Sequence, residues 1–140
     1  METGDLERIR RTWAKAAAGG DMVGGLFYRR LFEIAPAVRP LFSDDMAEQS
    51  AKLMQTLNWI VDHLEETDTL VPAAQSLAQR HLRYGVEAEH YGAVGEALID
   101  TLRSGLGTDF GEEDAAAWGR TYGLLSGIMI DAAYSSPSPA

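Results

Sequence analysis

Apolar residues recur along this chain at helical spacing, and no stretch shows the strict alternation of a half-buried strand. Leu6, Ile9, Trp13 and Ala16/Ala17 form a first inner face, with Thr3 or Asp5 as a possible N-cap and Gly19-Gly20 as its end. Asp21 suits the cap of a second helix, in which Met22, Val23, Leu26, Phe27, Leu31 and Ile34 are apolar. That helix closes at Ala35-Pro36, because a residue before proline is pushed out of the α region. Pro36 suits the start of a short helical segment ending near Leu41-Phe42. After the polar Ser43-Asp44-Asp45, a long helix runs from about Ala47 to about Leu64, with Leu53, Met54, Leu57, Ile60, Val61 and Leu64 inward. Residues 65–69 read as a solvated connection, and Pro72 as the start of the next helix. This one presents Leu77, Ala78, His81 and Leu82 on one face and stops at Gly85. Tyr91, Val94, Leu98 and Leu102 share register in a further helix, and glycines at 105, 107 and 111 break the chain again. The last helix, from about Glu112 to Ala133, carries Trp118, Tyr122, Leu125 and Met129. The pattern predicts an all-α domain of six or seven helices over residues 1–134, and a disordered tail at 135–140.

Composition narrows the class. The 140 residues suffice for one domain with a real core, and 46% are hydrophobic without a run of transmembrane length. Twelve Lys+Arg against 21 Asp+Glu give a net charge of −9, which disfavours nucleic acid and anionic membranes as partners. The absence of cysteine excludes disulfides, zinc–thiolate sites, iron–sulfur clusters and thiol catalysis. The acidic, polar N-terminus is unlike a signal peptide, so a cytoplasmic location is expected.

Three features exceed a generic bundle. His81 lies on an apolar helical face one turn before a glycine, where an imidazole can meet a large apolar group. A hydrogen-bonded core histidine is the plain alternative. Gly24 sits inside a helix at a cost of about 1 kcal/mol relative to alanine, which suits a close crossing with Ser50 of the following long helix. Tyr28 and Gln49 are polar at otherwise apolar places, and need partners unless they lie on a partly exposed flank.

Phe27-Tyr28-Arg-Arg-Leu31-Phe32, Pro36 and Val38-Arg-Pro-Leu-Phe42, with Leu53-Met54, Leu57-Asn-Trp-Ile-Val61, Arg80-His81-x-x-Tyr84-Gly85-Val86, His90-Tyr91-x-x-Val94-Gly95 and Trp118-Gly-Arg-Thr-Tyr122, resemble the globin family. The likeness spans roughly residues 5–134 and is to bacterial single-domain globins of the Vitreoscilla haemoglobin and flavohaemoglobin haem-domain type, the Hell's Gate globin type above all. It implies haem b, with His81 as the proximal iron ligand and Phe42 wedged against the porphyrin. It also implies Tyr28, Gln49, Leu53 and Leu98 on the distal side, Tyr91 and Tyr122 behind His81, and Leu57, Leu77, Val86 and Val94 lining the pocket. Gly24 and Ser50 fall where globins cross two helices closely.

One departure stands out. Where flavohaemoglobin-like chains place a glutamate behind the proximal histidine, this chain has Ala133, with Asp131 the nearest acid, and that lowers the expectation of peroxidase-like chemistry. Gly92 replaces a proline common in relatives, with little expected effect. His63 and His90 read as surface residues.

The resemblance implies reversible binding of O₂, NO and CO at a five-coordinate iron, with O₂ held tightly by Tyr28 and Gln49. The competing reading is a nitric oxide dioxygenase. A chain of 140 residues has no room for a flavin-containing reductase domain, so turnover would need an external reductase. A haem-free regulatory module ranks last, because His81 and Phe42 are both present. The protein is expected to be a monomer or weak homodimer.

Overall fold

Gly20 and Gly107 are the two described residues with left-handed backbone, at φ +63° and +55°, and each marks a chain reversal between helices. A computed structural model describes residues 3–42, 44–83 and 89–134. It contains α1 (Thr3–Ala17), α2 (Asp21–Ile34), α3 (Met46–Asp62), α4 (Thr67–Arg83), α5 (His90–Leu106) and α6 (Glu112–Tyr134). Two 3₁₀ segments, Pro36–Leu41 and Gly107–Asp109, complete the order, and there is no strand among the described residues. The all-α expectation holds. No described helix is long and apolar enough to cross a membrane.

Local chemistry explains the boundaries, and in three places differs from the sequence reading. Gly20, not Asp21, occupies the N-cap of α2. Asp5 lies within α1 and caps nothing, because its buried carboxylate accepts two hydrogen bonds from Arg120 of α6, at 2.9 and 2.7 Å. Pro72 does not open α4. The helix starts five residues earlier at Thr67, so the proline leaves the carbonyl of Asp68 without its i+4 donor. Both residues are exposed, and water can take that bond. The cap of α3 matches its polar signal: Asp45 accepts a hydrogen bond from the Glu48 N–H at 3.1 Å.

Helix α2 packs on both α3 and α5, while α4 packs on α6. At the α2–α3 crossing a Cβ on Gly24 would stand 2.8 Å from the Ser50 Cβ and 3.0 Å from its Cα and carbonyl oxygen. The glycine therefore permits the crossing, as its position suggested. Helix α1 is tied to α6 by the Asp5–Arg120 pair and by the Trp118 indole N–H, which donates to Thr12 Oγ1 at 2.8 Å. The Trp13 indole N–H donates in turn to Asn58 of α3 at 2.6 Å. Helices α3 and α4 thus rest on different neighbours and scarcely on each other. That separation creates the site.

Candidate functional site

The apolar interior is divided. The larger cluster contains Ile9, Phe27, Tyr28, Leu31, Met54, Leu98, Leu102 and Trp118, with Phe42, Leu53, Leu57, Val94 and Tyr122 packed against it. A second cluster is built from Ala74, Ala78, Tyr91 and Met129, joined by Leu77, Leu125 and Ile128. Between them lies a cavity of about 320 Å³. Ile60 and Leu70 of the first cluster line one side, and Ala74, Leu77, Leu125 and Met129 of the second line the other. Thr56, Trp59 and Arg80 add to its walls.

On the larger cluster, three aromatic rings hold Tyr28 at centroid distances of 5.1 Å for Phe27, 6.0 Å for Phe32 and 5.3 Å for Phe42. Tyr28 is buried, so the flank alternative is overturned, and desolvation pushes its hydroxyl up to about 12. The group stays a protonated donor across physiological pH. Gln49 and Leu53 are half-buried on α3, one turn apart, and Gln49 immediately precedes the Ser50 that α2 crosses. The Gly24 contact therefore sets the height of Gln49 and Leu53 relative to Tyr28. Leu98 is buried in this same cluster.

On the smaller cluster, the imidazole of His81 is half-buried and faces the ring of Tyr91 at 6.2 Å, tilted by 50°. Burial, helped by the charge of Arg80, holds its pKa below the ordinary histidine value. A neutral imidazole is the form that ligates a metal. Behind it, the Tyr122 hydroxyl donates to the Tyr91 carbonyl at 2.5 Å, and burial raises its pKa, with Tyr91 adding to the shift. Ala133 packs against the second cluster, and Asp131 is exposed. Val86 and Gly85 fall outside the described residues.

His63 stacks on Trp59 at 4.1 Å and its Nδ1 sits 2.7 Å from the Trp59 carbonyl, which accounts for its position at the end of α3. His90 begins α5. His81 lies beside Tyr91 of the second cluster.

A flat apolar prosthetic group with acidic edges suits this arrangement. The two apolar clusters supply its faces and Arg80 a cation beside His81; the cavity between α3 and α4 is lined by Leu77 among the predicted site residues, and not by Tyr28, Phe42, Gln49, Leu53 or His81. The residues present fit haem. Thr56, Ile60, Arg80, Leu125 and Met129 were not predicted as lining residues. Leu125 and Met129 were visible only as one helical face, and nothing local shows that this face meets α4. Gly95 was also missed: a Cβ there would lie 2.6 Å from Cε2 of Tyr122.

Comparison with known proteins agrees with this geometry. The model of the family "Globin" matches residues 25–129. The flavohemoprotein of Chromobacterium violaceum is 32% identical over 107 residues, covering 74% of this chain and 26% of that protein. The flavohemoprotein of Bordetella parapertussis is 32% identical over 115 residues, covering 79% and 28% respectively. The chain thus spans little more than a quarter of the length of these relatives. With the matched region running from α2 into α6 and containing Tyr28, Phe42, Gln49 and His81, this chain belongs to the globin family.

Proposed function

We propose that this chain binds O₂ reversibly and tightly at a haem ligated by His81, with Tyr28 and Gln49 as hydrogen-bond donors to the gas. Haem, the cofactor of globins, supplies an iron that takes up diatomic gases such as O₂, NO and CO. The protein's part is to place it and tune its surroundings. His81 offers a neutral nitrogen from α4, and burial keeps that nitrogen unprotonated. Phe42, Leu53, Leu57, Leu77, Val94 and the cavity-lining Leu125 and Met129 exclude water from the faces of the plate. Tyr28 presents an O–H in a water-poor aromatic setting, where a hydrogen bond to partial negative charge is strengthened by the low dielectric. Gln49 adds an amide N–H₂ from α3.

The observation that carries this reading is the burial of the protonated Tyr28 among the aromatic rings of one apolar cluster and the placement of the neutral His81 beside Tyr91 of the other. The test is the absorption spectrum of purified protein supplied with hemin, reduced, then exposed to air or CO. A Soret band that moves on reduction and again with each gas is expected. No Soret band after hemin addition would remove the haem reading.

A second reading, which the same Tyr28 and Gln49 pair permits, is that NO and O₂ are converted to nitrate. That conversion consumes an electron, so a reductase would be its partner. Reduced protein in air that consumes NO without forming nitrate would exclude it.

A further inference from the structure

The sequence holds three tryptophans, and folding gives them different surroundings. Trp13 and Trp118 are buried, and their indole N–H groups donate to Asn58 at 2.6 Å and to Thr12 at 2.8 Å. Trp59 is 37% exposed, yet it also lines the cavity between α3 and α4. Leu77 and Arg80 of the same wall precede His81 on α4 by one turn and by one residue. Packing alone does not account for an exposed indole at this place. Its ring lies 4.1 Å from the imidazole of His63, one turn later, with the two planes 17° apart. His63 Nδ1 sits 2.7 Å from the Trp59 carbonyl, so an Nδ1–H there holds the imidazole flat against the indole. Indole is electron-rich, and an aromatic face stacked on it stabilises the positive charge left when an electron is removed.

We propose that Trp59, backed by His63, is an electron relay between the cavity and solvent: with hydrogen peroxide as oxidant, it draws electrons from phenols too large to enter. The inference rests on the haem reading above. Hydrogen peroxide accepts two electrons and two protons, its O–O bond breaks, and two waters result. One electron comes from the haem iron and the other from the indole, which also releases its N–H proton; solvent gives the second proton. One phenol then restores the indole with an electron and a proton. A second phenol returns an electron to the iron through the same indole and a proton to solvent, so two phenoxyl radicals are formed. Without a phenol, water adds to the oxidised indole and a C–OH bond forms, while one electron returns to the iron and one proton leaves to solvent. Ala133, where a carboxylate would strengthen the proximal ligand, bears on how readily the O–O bond breaks; Trp59 bears on where the electrons come from.

The test treats haem-loaded ferric protein with a small excess of hydrogen peroxide and maps oxidised residues by peptide mass spectrometry, beside the same chain without hemin. One added oxygen is expected on Trp59 of the haem-loaded chain, and little on the buried Trp13 and Trp118. Met22, 73% exposed and outside the cavity lining, supplies the measure of direct attack by peroxide in both samples. A bulky phenol added beforehand should protect Trp59 and be oxidised itself. Most of that phenol oxidation should be lost in Trp59→Phe, and His63→Leu, which keeps the indole without its stacked ring, should lower it. Oxidation of Trp59 that is equal with and without haem would reflect exposure alone and overturn the relay. Haem-dependent oxidation that spares Trp59 would overturn it too, as would undiminished phenol oxidation in Trp59→Phe. The peptide map is read on wild type, so it decides even where a variant fails to hold haem. A wild-type chain that takes up no hemin would instead refute the haem reading, so the two failures are separable.

Discussion

Replacing Tyr28 by phenylalanine removes a single O–H from the site and little else. The ring would keep its partners, Phe27, Phe32 and Phe42, at centroid distances of 5.1, 6.0 and 5.3 Å. The buried setting that raises the tyrosine pKa also means that no bulk water stands ready to replace the lost donor. A hydrogen bond to a charged acceptor contributes about 1.5–3 kcal/mol. Each ~1.4 kcal/mol is a factor of ten, so O₂ should dissociate roughly tenfold to a hundredfold faster from Tyr28→Phe. The assay is stopped-flow displacement of O₂ by excess CO, followed in the Soret region. CO carries far less charge, so its own dissociation should change much less, which separates a lost donor from a distorted pocket. An O₂ off-rate equal to wild type would refute the donor role, and a parallel rise for both gases would point to altered packing.

Further expectations follow from other contacts. Gly24→Ala gains about 1 kcal/mol of helix propensity but drives a Cβ to 2.8 Å from Ser50, and overpacking costs about 1–3 kcal/mol. Chemical denaturation should show no net gain, and a variant stabler by the full propensity difference would contradict the close crossing. Ala74→Trp fills the cavity from α4, so haem uptake should fail while circular dichroism still reports a helical chain; unimpaired uptake would show that the plate lies elsewhere. The hydrogen bonds from Arg120, against the opposing effect of burial, hold Asp5 below its ordinary value of 3.8. A depressed carboxylate stabilises the fold fully above its unfolded pKa, and that contribution disappears as pH falls through the folded value. The melting temperature of the wild type should therefore fall more steeply than that of Asp5→Asn below a pH of 3.8, whereas equal slopes would deny the linkage.

The features legible in the sequence were those with local causes. Gly24 stood out because a glycine inside an apolar helix needs a reason, and the reason was one residue on the next helix. Gly95 sends the same signal, yet its partner Tyr122 lies on the last helix, and nothing near it pointed there. Pro72 resembles a helix start because proline favours a first turn and the polar residues before it resemble a loop. Leu70, buried in the larger cluster, instead pulls that run into α4. Asp5 resembled a cap until folding brought Arg120 to it from 115 positions away. Face and spacing place His81 on an apolar side of α4, while its role as a ligand comes from the resemblance. The division of the core was not legible in the sequence, because it depends on α3 and α4 resting on different neighbours.

The central claim is that His81 holds haem between the two apolar clusters, and replacing that histidine tests it most directly. Purified wild type and His81→Gly, each given equal hemin, would be compared in the ferrous state by absorption, with imidazole absent and then added. Wild type should retain haem without imidazole; His81→Gly should lose it, and recover a wild-type-like Soret band when imidazole fills the gap. A His81→Gly chain that keeps haem with an unchanged spectrum in the absence of imidazole would contradict the account.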